Sequence, residues 1–167
     1  ALAALGDLTE LDEIRQRVQN QFNIAQAHVD TDARAAEFDG LIEKAYFAAT
    51  DLTGKTPAQN TDEVLENSQK ALDLFGVRVG DETFNPKFGE HFLEGQKKRI
   101  MDECAALLLL VASRQMDKDY TQNNSFEKAL AFLNLAQKSG VGEKVRHLYK
   151  AQYYQILANR GDKKNQV

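Results

Sequence analysis

The feature that most constrains this chain is an apolar stripe near its start. Six residues recur there at spacings of 3, 4, 4, 3 and 4: Leu11, Ile14, Val18, Phe22, Ala25 and Val29. These spacings follow the 3.6-residue turn of an α-helix and place all six side chains on one face. Thr9 stands where an N-cap is expected. The pattern therefore predicts a long first helix that begins near Thr9.

Helical spacing of apolar residues continues along the rest of the chain. The expected later helices are 35–52, ended by the sequence TGKTP; a helix capped by Asn60 and closed by Gly76; a short helix at Asn85-Pro86; 96–115; 126–138, capped by Ser125; and 147–162. The chain has two prolines, ten glycines and few runs of β-branched residues, so it offers little from which to build strands. These patterns predict an all-α protein of six to seven helices. Antiparallel hairpins would form either a repeat array or an irregular helical bundle.

The length of 167 residues fits a single all-α domain that buries roughly 70% of its unfolded surface. A subdivision is also possible, with N-terminal hairpins in 1–76, an irregular connection in 77–95 and a C-terminal part in 96–167. The chain begins at Ala1, inside an apolar stretch, without an initiating Met. We therefore expect it to be a segment of a longer chain.

Charge and hydropathy restrict the classes of partner. The chain has 21 Lys and Arg against 25 Asp and Glu, for a net charge of −4, and the two signs are interspersed. Without a basic stripe to replace phosphate counterions, nucleic acid is not an expected partner. The longest apolar run, 105–112, is shorter than the ~20 residues of a membrane span, so membrane insertion is not expected. The single cysteine, Cys104, has apolar neighbours and indicates a reduced, cytoplasmic protein.

The sequence contains no recognisable catalytic motif. The TGKT sequence at 53–56 lacks the preceding glycine of a phosphate-binding loop. His28, His91 and His147 fall on separate predicted elements and outside the spacings that hold metal ions. Cys104 is expected to be buried and inert. We therefore predict no catalytic residue, no cofactor and no metal, and we interpret this segment as non-enzymatic.

Residues 126–162 resemble the helix-turn-helix unit of tetratricopeptide repeats. Ala129, Leu133 and Ala136 match the small and large positions of the second helix of that unit, and Ala71 with Phe75 repeats the pattern earlier. The separation of Ala71 and Ala129, 58 residues (129 − 71), departs from the 34-residue period of the family.

The last helix, KAQYYQILANRGD, is similar to the first helix of the same unit. Ala151 stands at its small position, Tyr154 at its aromatic position, and Gly161-Asp162 forms the following turn. The order from LFGVRV through FLEGQKKR to the leucine-rich helix also resembles helical regions attached to kinases in large bacterial signalling proteins. Both resemblances imply a module for protein–protein interaction.

Three hypotheses about function follow. The first is a non-catalytic interaction or scaffold module, the regulatory part of a larger signalling protein, that binds a protein or peptide. Candidate contacts are Arg146, Lys150 and Tyr154, which share a face of the last helix. The second is a homo-oligomerisation bundle that uses the stripe from Leu11 to Val29. The third is an all-α enzyme with an unrecognised site, for which a deep polar cavity is expected.

Overall fold

The computed structural model describes residues 2–118 and 123–140 and the single positions Ala151, Tyr154 and Ala158. Side chains are described for 11–116, for 127–140 and for the three single positions. Four helices account for most of these residues: α1 (Leu2–Ala49), α2 (Pro57–Leu74), α3 (Glu94–Lys118) and α4 (Asn123–Lys138). No strand occurs among the residues described. The all-α class is confirmed.

The first two predicted helices are one continuous helix in the structure. α1 runs from Leu2 to Ala49, so Thr9 lies inside the helix and is not its N-cap. The apolar pattern shifts to another face between Val29 and Ala35, and in the sequence such a shift resembles a helix boundary. The intervening residues contain neither glycine nor proline, so nothing there breaks the helical backbone.

α2 begins earlier than predicted. Thr56 is its N-cap, and a capping box joins the side chain of Thr56 to the backbone of Gln59 and the side chain of Gln59 to the backbone of Thr56. Pro57 follows in the first turn, where its missing N–H costs nothing. The predicted cap, Asn60, is instead a buried residue within the helix. The predicted end is confirmed, since Gly76 has a φ of 64° directly after the C-cap, Phe75.

Residues 76–93 join α2 to α3, and we call them the irregular segment. They contain no helix, so the predicted short helix at Asn85-Pro86 is wrong. Backbone groups of this segment form hydrogen bonds with distant parts of the chain. The Lys87 N–H donates to the Phe75 carbonyl at 2.8 Å, and the Lys87 carbonyl accepts from Arg34 at 2.8 Å. Because these groups bond to distant parts of the chain, they are not available for a helical turn.

The helices form an irregular up-and-down bundle. The guanidinium of Arg34 on α1 bonds the last residue of α2, Leu74, so α1 and α2 are antiparallel. Asp39 and Tyr46 of α1 bond Arg99 and Glu103 of α3, in rising order, so α1 and α3 are parallel. α4 packs on α3 and begins at Asn123, before the predicted cap Ser125.

Most of the buried apolar residues in the described part of the chain form one cluster. Its largest fully buried side chains come from all four helices and the end of α2: Phe38, Leu72, Phe75, Ile100, Leu107, Leu108 and Leu133. Phe75 has ring contacts with Phe38 at 5.0 Å, Phe88 at 5.4 Å and Phe92 at 5.7 Å between centroids. The irregular segment is therefore held to the bundle by aromatic packing instead of by a helix.

The described residues hold four helices, fewer than the six to seven predicted. Two of the missing helices are accounted for: the first two predicted helices are the single helix α1, and the short helix at Asn85-Pro86 is absent. The last predicted helix, 147–162, lies outside the described residues except at Ala151, Tyr154 and Ala158.

Candidate interaction surface

α1 is much longer than the helices that pack against it. Its 48 residues span about 72 Å, whereas the 18 residues of α2 span about 27 Å. Residues 31–49 contribute a buried face to the bundle, and we call them the anchored segment. Residues 11–30, which we call the arm, are exposed along their whole length apart from a half-buried Ala27.

The arm carries the predicted stripe: Leu11, Ile14, Val18, Phe22, Ala25 and Val29. Its five large side chains are each between 53% and 63% exposed, and Ala25 is exposed as well. Monomeric proteins rarely expose apolar side chains in so long a row. The stripe is therefore the main apolar surface that the arm offers to another molecule.

The stripe is not a continuation of the face that enters the bundle. The anchored segment buries Ala35, Phe38, Ile42 and Ala45. At about 100° per residue, these four point roughly 150° away from the stripe around the helix axis. α1 thus has two apolar faces, one used by the bundle and one nearly opposite.

The stripe face continues along the outer side of the anchored segment. Ala33 and Ala36 follow Val29 at the same helical spacing and are exposed. Beyond them lies a surface depression of about 620 Å³, which is lined by Gly40, Glu43, Lys44, Tyr46, Phe47 and Thr50. Phe47 is 59% exposed there. The outer apolar face of α1 therefore extends past the arm.

Arg34 fixes the base of the arm. Its guanidinium donates to the Leu74 and Lys87 carbonyls and lies 4.4 Å from the centroid of the Phe75 ring. Partial burial lowers the pKa of Arg34 from its usual value. One side chain thus joins α1, the end of α2 and the irregular segment by charge-assisted hydrogen bonds and a cation–π contact.

The rings of His28 and His91 lie 4.5 Å apart between centroids. The sequence prediction placed these two residues on separate elements, and only the fold brings them together. No group of His, Cys, Asp and Glu that could hold a metal ion occurs among the described residues. The pair therefore adds a contact between the arm and the irregular segment.

Polar contacts with α3 hold one flank of the anchored segment, between its buried face and its outer face. Arg99 makes two hydrogen bonds to the Asp39 carboxylate, at 2.6 and 3.2 Å, and this contact raises the pKa of Arg99. Tyr46 donates to Glu103 at 3.0 Å. Burial, and then the nearby Glu103 carboxylate, raise the pKa of Tyr46 well above its usual value. These contacts keep the stripe face of α1 turned away from α3.

Two other features have chemical interest. An open depression of about 320 Å³ is lined mainly by polar residues of both charges: Gly76, Arg78, Asp81, Glu82, Thr83, Asn85 and Lys87.

Cys104 is fully buried, as predicted, and burial raises the pKa of its thiol to about 12. A thiol that stays protonated at neutral pH is a poor nucleophile.

Of the three candidate contact residues predicted from the sequence, two lie outside the residues that the structure describes. Arg146, Lys150 and the third histidine, His147, lie outside the described residues. Tyr154 is described and is 65% exposed. Its role as a partner contact stays a prediction.

Sequence reasoning missed two parts of the site. The extension of the stripe through Ala33 and Ala36 keeps the spacing of 4 and 3 residues and was open to discovery from the sequence. The role of Arg34 was not, because its partners lie 40 and 53 residues further along the chain.

Searches against protein-family models, curated proteins and solved structures find no match for this chain. Separately, none of the helices in the described part of the chain combines the length and the apolar character needed to cross a membrane.

Proposed function

We propose that this protein is a non-catalytic protein–protein interaction module and that it binds its partner through the stripe on the arm. The observation that supports this proposal is the row of five large apolar side chains, each more than half exposed, on a helix that extends beyond the bundle. Rows of this kind are typical of surfaces that receive an amphipathic helix, which lays its own apolar face along them.

The energetics of the stripe favour a helical partner over a short extended peptide. Full burial of one Val, Leu, Ile or Phe side chain is worth about 1.5–3 kcal/mol. With about half of each side chain exposed, covering all five would therefore yield about 5 kcal/mol, which is comparable to the ~4–15 kcal/mol cost of association. A partner must contribute a matching apolar face of its own, and a second helix does so along the whole stripe.

The setting that we propose is the regulatory part of a larger cytoplasmic signalling protein. The resemblance of residues 126–162 to tetratricopeptide repeats supports an interaction role. Within α4, Ala129, Leu133 and Ala136 are all buried, in keeping with the small and large positions of that pattern. The buried, protonated Cys104 fits a reducing compartment.

Substitutions on opposite faces of the arm test this proposal. The variant Val18→Gln/Phe22→Gln makes the stripe polar, and Asn20→Ala/Asn23→Ala changes exposed positions on the other side of the same helix. A protein captured from source-cell extract should be purified and titrated against both variants by calorimetry. We expect at least tenfold weaker binding to the stripe variant and unchanged binding to the control. Equal binding to both variants would contradict the proposal.

A further inference from the structure

The outer apolar positions of α1 read the same in both directions. From the arm into the anchored segment they are Leu11, Ile14, Val18, Phe22, Ala25, Val29, Ala33 and Ala36, all exposed. Their spacings are 3, 4, 4, 3, 4, 4 and 3. When the positions are paired from the two ends inward, the two residue numbers of each pair add up to 47. A helix with this symmetry matches a reversed copy of itself.

The reversed copy also places large side chains opposite small ones. Phe22 would face Ala25 of the second copy, Ile14 would face Ala33, and Leu11 would face Ala36, each twice because of the two-fold symmetry. Val18 would face Val29. Alternation of large and small residues across a helix pair allows close packing without gaps. The spacing averages 11 residues in three turns, which keeps the two helices close to straight along about 37 Å.

Four of the charges beside the stripe favour the reversed orientation. Arg15 and Asp30 flank one side of the stripe, and Arg17 and Asp32 flank the other, with all four exposed. In an antiparallel pair related by a two-fold axis, each flank meets the same flank of the second copy. Arg15 then lies near Asp30 of that copy, and Arg17 near Asp32, at both ends of the pair.

A parallel pair would have the opposite electrostatics. Each flank would then meet the other flank at the same height, so Arg15 would lie near Arg17 of the second copy and Asp30 near Asp32. Like charges at these positions disfavour the parallel arrangement. The present partners of the two arginines, Asp12 at 3.0 Å and Glu13 at 3.8 Å, form exposed pairs on the same helix, which are weak and exchange easily.

The rest of the fold leaves room for such a pair. The bundle packs on the face of α1 that lies roughly 150° from the stripe, so the two bundles would sit at opposite ends and on outer sides of the paired helices. We propose that two copies of this chain associate through α1 as an antiparallel pair, with the two-fold axis between Phe22 and Ala25. This inference rests on the proposed function, because it names the partner of the same stripe.

A charge-swap experiment tests both the association and its direction. Variant A carries Arg15→Glu and Arg17→Glu, and variant B carries Asp30→Arg and Asp32→Arg. Each alone would bring like charges together at both ends of the pair, whereas one copy of each would restore both attractions. In sedimentation equilibrium across micromolar concentrations, we expect the unmodified chain to dimerise, A and B alone to associate at least tenfold more weakly, and the 1:1 mixture to recover the dimer. Circular dichroism of each variant checks that the helices remain folded.

Cysteine pairs give an independent measure of direction. On a Cys104→Ala background, Val18→Cys and Val29→Cys face each other in the antiparallel pair, whereas two copies of Val18→Cys lie about 16 Å apart. Under mild oxidation, we expect a disulfide-linked dimer in the mixture and none from either variant alone. Cross-linking of each variant with itself would overturn the antiparallel arrangement.

A monomer at all concentrations would overturn the self-association. If the stripe variant Val18→Gln/Phe22→Gln then still lost binding to another protein, the interaction surface would stand with a different partner. If that variant also kept its binding, both proposals would be wrong.

Discussion

The arm and the anchored segment belong to one helix, yet their apolar residues have opposite surroundings. Phe22 in the arm is 62% exposed, whereas Phe38 in the anchored segment is fully buried and contacts the ring of Phe75. Both lie in rows with helical spacing, so the two rows are alike in sequence. The comparison shows that periodicity identifies which side of a helix is apolar. It does not identify whether the same chain covers that side.

The largest expected difference between the two environments is in thiol reactivity. A Val18→Cys substitution places an exposed thiol on the arm, with a pKa near 8.5. Burial raises the pKa of Cys104 in the core to about 12. At pH 8 the thiolate fractions then differ by about a thousandfold, and so should the rates of reaction with an aromatic disulfide reagent, followed by absorbance.

The same buried thiol implies a pH dependence. Burial raises the pKa of the Cys104 thiol in the folded state to about 12, well above that of an exposed thiol. This group therefore does not change the free energy of unfolding at lower pH, and it lowers that free energy as the pH rises from about 8.5 toward 12. Cys104→Ala should make this alkaline loss of stability smaller.

The comparison of thiol reactivity has its own control. In denaturant, Cys104 and the cysteine of the Val18→Cys variant should react at similar rates. Fast reaction of native Cys104 would show that the core opens more readily than its packing indicates.

Truncation of one phenylalanine in each segment should have unequal effects on stability. Phe38→Ala removes a fully buried ring that contacts Phe75, and we expect a loss of about 3–5 kcal/mol in the free energy of unfolding. Phe22→Ala should change it by less than about 0.5 kcal/mol in dilute protein. Urea denaturation measures both. If the arms pair, the effect of Phe22→Ala should grow with protein concentration; a large effect at high dilution would mean that Phe22 packs within its own chain.

The smallest expected difference compares one arginine from each segment. Arg34→Ala leaves the Leu74 and Lys87 carbonyls without their charged donor, at a cost of about 2 kcal/mol. Arg15→Ala removes only an exposed pair with Asp12, which is worth close to zero. Thermal unfolding in dilute solution compares the losses of stability in the two variants. Equal effects would mean that Arg34 does not fix the base of the arm.

Local pattern predicted the elements of this fold better than their ends. The apolar rows, the buried helix around Cys104 and the end of α2 at Gly76 are confirmed, because each follows from spacing or from backbone conformation at one residue. The continuous α1 was divided in two because a shift of apolar face resembles a helix boundary. The absence of a helix at Asn85-Pro86 depends on Arg34 and Phe75, which are distant in sequence.

The candidate site was predictable to the same degree. The stripe from Leu11 to Val29 was read directly from the sequence, as was the possibility that it pairs with a copy of itself. Its exposure required the structure, since exposure depends on where the bundle ends along α1. The contacts of Arg34 and the pair of His28 with His91 join segments more than 39 residues apart in the chain, and no local pattern reports them.

The unbroken backbone of α1 also has a mechanical consequence. From its base near Thr31 to its start at Leu2, the helix projects about 44 Å without a proline or a positive-φ residue to act as a hinge. Such a helix transmits rotation as a lever does. A tilt of about 10° at the Arg34 contacts displaces the far end by about 8 Å, so a molecule held at the tip and the loop around Lys87 are linked by one rigid body.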